Sequence, residues 1–409
     1  MILRLSWEQM EIKLPIPSQS ELISYLSDRG EEYHNRRGTK LSVGVEHEFF
    51  LFRSNNRLAT WADSQRFFQE FGNLGWLPCK SNENDDIIEL SRQTSSTKFT
   101  KVKYEYAPHL IEVAFTYFNE LNELEELVAS VWDQIMVASK RSGTIVVSKP
   151  FLSDDEISQI IDSPERHEIN YSRKMASKNF GIAVAEKMLK FPSYTASTQV
   201  HIGGLNWWKR PEILAELYEL ESELFLYSSL LIAGPEEALE IYNRRLNLYR
   251  LVFPEFPLIG FPDLKEWNLE LWLQELLKSP MLGGSDCKTA GSSIMLSRNT
   301  HNAESVFSLC RDLQYIRPRN IGTIEFRGDP AQNDVSSIMA LAALRLGMAM
   351  EVEDSSTNIR NSYQSTREAW INNNGIFSKK TFSKKFDSLK LTLEKQCPSK
   401  GRHLVSAYK

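Results

Sequence analysis

Residues 43–51, VGVEHEFFL, set two glutamates inside an otherwise apolar run. Val and Phe dominate it and a polar, Gly-containing stretch (NRRGTK) precedes it, so it reads as a β-strand. Side chains along a strand alternate between faces. Val45, His47, Phe49 and Leu51 therefore share one face, and Glu46, Glu48 and Phe50 share the other. Carboxylates on one sheet face repel unless water, a base or a cation intervenes. A single E-x-E is ordinarily the wet side of an edge strand, so its meaning depends on the other strands.

Three of them repeat the design. In HLIEVAF, Glu112 lies between Leu110 and Ala114 on one face, opposite Ile111, Val113 and Phe115. In TQVHIGG, Gln199, His201 and Gly203 oppose Val200 and Ile202; in GTIEFRG, Thr323, Glu325 and Arg327 oppose Ile324 and Phe326. Glu105 precedes Glu112 across Pro108, where the chain can turn and return a second carboxylate to the same side. Four strands with one apolar face and acids or a His on the other describe the floor of a polar cavity. Clustered carboxylates call for a positive counter-charge. Oxygen-rich sites suit Mg²⁺ or Mn²⁺, and Mg²⁺ typically combines a few carboxylates with substrate phosphates. Arg327, on the same face as Glu325, has the planar fork that holds a phosphate. Together these point to phosphoryl transfer from ATP. The chain has neither a G-x-x-x-x-G-K-[ST] loop nor a protein-kinase signature.

The rest of the chain is compatible with a large α+β enzyme. It has 409 residues, 42% hydrophobic and 25% charged, enough for a sizeable core. Its net charge of −5 argues against a general nucleic-acid or membrane-surface binder. Cys79, Cys287, Cys310 and Cys397 have no C-x-x-C spacing, so reduced thiols and a cytoplasmic location are expected. The N-terminal MILRLSWEQMEIKLP lacks the basic region of a signal peptide, and no apolar run reaches bilayer-spanning length. Helices are expected over 18–30 (Ser start, Gly stop), 61–74, 119–142 (Gly143 stop), 210–233, 264–278 and 333–354. Residues 243–262, NRRLNLYRLVFPEFPLIGFP, read as a loop system, and the Gly/Ser-rich 279–300 as a mobile loop or lid. Strands and helices alternate without a βαβ rhythm, which favours α+β over a doubly wound sheet.

The segments GVEHEFFL, YEYAPHLIEVAFT, STQVHIGG and RPRNIGTIEFRGDPAQ, in that order, resemble the glutamate–cysteine ligase family, above all its bacterial carboxylate–amine ligase branch. The resemblance covers 42–350 of a chain read as one catalytic domain, 1–409, with a helical C-terminal tail over 355–409. It implies a glutamine-synthetase-like fold: a curved antiparallel sheet forming a funnel-shaped active site, with helices on its outer face. It implies ATP and Mg²⁺ (or Mn²⁺) as cofactors, and amide formation from an amino-acid carboxylate and an amine through an acyl phosphate. Glutamate and cysteine are the family's pair; other acids and amines stay open. By motif, Glu46, Glu48, Glu105, Glu112 and Glu325 match metal ligands, and His201 and Arg327 match residues at the metals and the transferred phosphate. Arg244, Arg245 and Arg250 lie where the family has an arginine-bearing loop for the substrate carboxylate; its Ser-Tyr-Arg tripeptide is replaced here by LNLYR.

Two other functions fit the same residues: a small-molecule kinase that stops at the phosphorylated product, and a non-catalytic homologue. All five acids of the metal motif are present, against the second. His47, on the apolar face, and the Trp207–Trp208 pair read as packing residues. The expected partners are small-molecule amino acids, with no nucleic acid and no membrane; a homo-oligomer is left open.

Overall fold

A computed structural model describes residues 17–160, 193–252, 259–260, 269–278, 303–304, 307 and 313–354, apart from 39, 83, 96–97, 106, 225–226 and 320. The first half runs α1 (Gln19–Arg37), β1 (Ser42–Arg53), α2 (Trp61–Asn73), β2 (Leu77–Ser81), β3 (Ile87–Ser95), β4 (Lys98–Tyr104) and β5 (Leu110–Ala114). Then come α3 (Leu121–Ser142), β6 (Thr144–Val147), α4 (Asp154–Ile157), β7 (Thr198–Gly203), α5 (Glu212–Leu224), α6 (Tyr227–Leu230) and α7 (Pro235–Val252). The remaining elements are β8 (Ile259–Gly260), α8 (Leu269–Lys278), β9 (Leu313–Gln314), β10 (Ile316–Pro318), β11 (Ile324–Phe326) and α9 (Val335–Asp354).

Nine strands form one sheet in the order β10-β11-β7-β1-β5-β4-β3-β2, with β6 also paired to β1. Every pairing in it is antiparallel. β1 is long enough to have two neighbours on one side: Ser42–His47 pairs with β7, and Phe50–Arg53 with β6. This puts the E-x-E segment at the middle of the sheet rather than at an edge.

The alternation expected of β1 is observed. Val43, Val45, Phe49 and Leu51 join Val113, Val200, Ile202, Ile324 and Phe326 in the main core, against the apolar sides of α1, α2, α3 and α9. Phe50 and Phe52 point the other way, into a smaller cluster with Leu110, Leu152, Tyr194 and Ala196. Burying these side chains from both faces at roughly 25 cal/mol per Å² of apolar surface supplies the main driving force for the fold. α9 is long and apolar enough to cross a membrane, yet 78% of its apolar window is buried inside the protein. It serves as the core helix, and its one deeply buried cation, Arg345, pairs with Glu221 and with Asp329 (2.7 Å). That triad fixes the chain just after Arg327.

Three expectations change. α1 does not stop at Gly30 but continues to Arg37, capped by Ser18 through a capping box with Glu21. Gly30 is buried against Trp208, where it leaves room for the indole rather than ending a helix. Residues 243–252, read as a loop, are the C-terminal half of α7, since Pro235 at its first position and Glu236 and Glu237 in its first turn start a helix that runs through NRRLNLYRLV. Strands β2, β6 and β10 were not legible as separate elements. By contrast, 61–73 and 121–142 form the helices expected, the latter ended by Gly143 at φ 71°. The 279–300 segment and the 355–409 tail lie outside the described residues.

A Cβ on Gly30 would sit 2.3 Å from Trp208 Cδ2. In an exposed helix interior Gly→Ala gains about 1 kcal/mol, whereas overpacking a core typically costs about 1–3 kcal/mol. Gly30→Ala is therefore expected to lower the denaturant midpoint at unchanged m-value. A raised midpoint would mean that Trp208 is free to move away.

Candidate active site

Register brings the sequence's acids together. On β1, Glu48 lies directly opposite Glu112 of β5, which lies opposite Lys103 of β4. On the other side of the strand, Glu46 opposes Gln199 of β7. One row further, Gly44 opposes His201, His201 opposes Glu325, and Glu325 opposes Arg317 of β10. Members of a row share a sheet face, so all of these side chains emerge on the side away from the main core.

One half is built around His201. Its Nε2 is 3.4 Å from Glu46 Oε1 and 4.0 Å from Glu325 Oε1. Glu46, His201 and Glu325 each offer one ligand atom within 4.8 Å of the others. His201 Nε2 is buried and faces these two carboxylates without a well-aligned hydrogen bond. Glu325 also receives Arg319 (Nη1 to Oε2, 2.6 Å) and Arg327 (Nε to Oε1, 3.5 Å). Burial pushes the Glu325 carboxyl up, but Arg319, Arg327, His201 and Arg317 outweigh it and hold the group far below the usual range. Burial likewise opposes charge on Glu46, and the His201 imidazolium overcomes it, so its pKa falls while that of His201 rises.

The other half holds Glu48, Glu105 and Glu112. A turn returns the chain, with Glu105 N donating to Leu110 O at 2.9 Å, so Glu105 comes back beside Glu112 as the Pro108 bend led us to expect. Lys103 Nζ lies between them, 2.6 Å from Glu105 Oε1 and 3.0 Å from Glu112 Oε1. Glu48 accepts from Ser197 N at 2.7 Å and from Gln199 Nε2 at 3.4 Å. Burial and the charge of Glu105 push its carboxyl up to about 8. Burial, then Glu105 and Glu46, raise Glu112 well above the usual range. Carboxylates this reluctant to ionise fit a site that receives further positive charge.

Arginines 244, 245 and 250 sit on α7. Arg245 is buried and spends Nη1 on Ala196 O (3.0 Å) and Nη2 on Ser197 Oγ (2.9 Å), the residue whose amide binds Glu48. Arg244 is exposed and lies over the Phe151 ring, 4.8 Å from its centroid. The side chain of Arg250 lies outside the described residues. Sequence reasoning missed Lys103 and Arg319. Lys103 was one base among several in FTKVKYEY, although its spacing from Glu105 was a signal. Arg319 reaches Glu325 because the β10–β11 connection doubles back, with Arg319 N bonded to Thr323 O and Gly322 at φ 85°. His47, as expected, is a packing residue: it is buried, its Nδ1 meets Thr198 Oγ1 at 2.9 Å, and burial lowers its pKa to about 3.

The raised carboxyls make metal-free stability depend on pH. A neutral Glu48 stabilises the fold fully below its unfolded value of 4.5, and that contribution is lost as pH rises through about 8. Glu112, Glu221 and His201, all raised, act with the same sign. The melting temperature without divalent ions is expected to fall between pH 6.5 and 8.5. Glu48→Gln keeps an acceptor for Ser197 N and should flatten that slope; an unchanged slope in the variant would assign the pH dependence elsewhere.

Comparison with protein-family models and with curated proteins finds no match. Among solved structures, a bifunctional glutathione synthetase from Pasteurella multocida superposes with a TM-score of 0.50 at 8% identity, over 94% of this chain and 50% of that one. Glutamate–cysteine ligase from Francisella tularensis, in complex with AMP, gives 0.43 at 10% identity, over 90% and 81% of the two chains. GmaS without ligand gives 0.34 at 12% identity, over 96% and 74%. The chain thus spans about half the length of the bifunctional synthetase and shares the fold of the part it covers.

Proposed function

We propose that this chain is an ATP- and Mg²⁺-dependent ligase that forms an amide from an amino-acid carboxylate and an amine. The observation that carries this reading is the row Gly44–His201–Glu325–Arg317, with Glu46 beside it. It combines metal-type ligands with guanidinium groups, Arg317 in the row and Arg327 paired to Glu325, in one charged cluster. Residues of this chemistry fit a divalent cation, which when bound would neutralise phosphate charge. Glu46, Glu325 and His201 would hold it, with Glu48, Glu105 and Glu112 as the further acids of the site. An amino-sugar, carrier-bound or amino-acid amine suits the reaction class; the pair named by the family is glutamate and cysteine.

The chain's own residues then have distinct tasks. Arg327 and Arg319 place two guanidinium groups next to Glu325, and a phosphoryl group arriving there would exchange part of that pairing for bidentate contacts. Arg245 is committed to the Ala196 carbonyl and the Ser197 hydroxyl and so orients Glu48 instead of reaching into solvent. Arg244, exposed over Phe151, and Arg250 stand as the candidates for the substrate carboxylate. In the reaction the substrate carboxylate attacks the γ-phosphate, ADP leaves, and the acyl phosphate is captured by the amine with release of phosphate. The same fold could stop at phosphorylation, and product analysis separates the two outcomes.

Preorganised donors aimed at developing charge contribute about 10²–10³ in kcat when one is removed. Arg327→Lys keeps the charge and loses the planar fork. It is expected to lower kcat for ADP release by about that factor while nucleotide affinity changes little. A variant with wild-type kcat and only weaker nucleotide binding would remove Arg327 from the chemical step.

The reaction itself is tested with isotope. Amino acids are screened singly and in pairs for ADP release with Mg²⁺, and the active acid is then labelled with ¹⁸O in its carboxylate. One labelled oxygen is expected in inorganic phosphate for each amide formed. Unlabelled phosphate with accumulating amide would exclude the acyl phosphate, and a stable phosphorylated product without amide would replace the ligase by a kinase.

A further inference from the structure

The two halves of the site differ in how their negative charge is balanced. Around His201, Glu46 and Glu325 face a buried imidazole nitrogen that has no aligned partner. Around Glu105 and Glu112 a cation is already in place: Lys103 contacts both carboxylates, at 2.6 and 3.0 Å. The placement is imposed by the sheet. Lys103 and Glu112 are cross-strand partners, and Glu112 is the cross-strand partner of Glu48, so the ammonium is held in line with the acids. Only a third of the Lys103 side chain is exposed, and the carboxylates it touches are nearly covered. The ammonium thus meets both carboxylates at hydrogen-bond distance from a largely covered position.

We infer that Lys103 is a built-in counter-ion that takes the place of a divalent metal at Glu105 and Glu112, confining metal binding to the Glu46–His201–Glu325 half of the site. The inference rests on the proposed metal-dependent reading and refines it. A lysine is a single, compact positive charge with three donors, and it satisfies two carboxylates without needing the octahedral shell that Mg²⁺ demands. An ion competing for the same oxygens would have to displace it against both contacts. Glu105 and Glu112, which the sequence resemblance assigns to metal, would then act on the site through Lys103. Lys103 itself is a positioning residue, since it fixes the carboxylates that border Glu48.

The full chain is titrated with Mn²⁺ in the absence of nucleotide, and free ion is followed by electron paramagnetic resonance to count ions bound per chain. Lys103→Met is expected to bind one more Mn²⁺ than wild type, whatever the wild-type number. Equal or lower numbers, including none in both proteins, overturn the inference. Lys103→Gln is the second variant, because a neutral amide keeps hydrogen bonds to both carboxylates if Met leaves the pair too repulsive to fold; its expected gain is the same single ion. Counting is independent of turnover. A gain of one ion in a protein that makes no amide with any acid–amine pair would retain the inference while removing the ligase reading, and an active ligase without the gain would do the reverse.

Discussion

Like charges on directly opposed strand positions are the constraint around which this fold is arranged. Glu48 and Glu112 are cross-strand partners in the centre of the sheet, where one side is main core and the other is partly covered. Both lie among further acids, and burial together with the charges of Glu105 and Glu46 disfavours their ionisation. The molecule relieves this in three ways. Glu48 and Glu112 are biased towards the neutral form, Lys103 contacts both Glu105 and Glu112, and Arg319 and Arg327 bracket Glu325. Each remedy places a cation or a proton beside one of the clustered carboxylates.

Much of this was legible because period-two alternation is a local property. The apolar partners Val45, Phe49, Val113, Val200, Ile202 and Phe326 announce which face is core, and the polar face of each strand follows without further information. What alternation does not give is neighbour order. That β7 and β5 flank β1, so that His201 and Glu112 stand on either side of the same two glutamates, is a matter of long-range pairing. The motif order supported it only through resemblance. Lys103 and Arg319 were missed for the same reason: each becomes a site residue through its neighbour across the strand or turn, and neither sits in a pattern that its own segment reveals.

The errors were equally physical. Gly30 looked like a helix stop because glycine is the usual residue past a C-terminus. Its φ does not matter there; what matters is Trp208, separated from it by most of the first two hundred residues, which packs on the space that a side chain would fill. The run NRRLNLYRLV looked like loop because prolines follow it closely, yet its Leu and Arg content is favourable to helix and Pro235 starts α7 well upstream. Moving these arginines from a loop to a helix changes their expected behaviour. A loop arginine can swing to meet a substrate, whereas Arg245 is held by the Ala196 carbonyl and the Ser197 hydroxyl.

Arg245 and Arg345 show how the fold uses buried guanidinium groups outside the Glu46–His201–Glu325 cluster. Removing one partner of such a buried pair leaves an uncompensated charge and is strongly destabilising, typically by about 3–5 kcal/mol. Arg345 joins Glu221 on α5 to Asp329, which follows β11 and whose carbonyl accepts from Thr198 N at the start of β7. Arg245 joins α7 to Ala196 and Ser197, just before the same strand. Both therefore tie helices to the entry of β7, the strand that carries Gln199 and His201. Glu48 meets this entry from the other side through Ser197 N. The position of His201 against Glu46 is thus set from two helices and a neighbouring strand at once, which is the rigidity that a site balancing five carboxylates against a few cations requires.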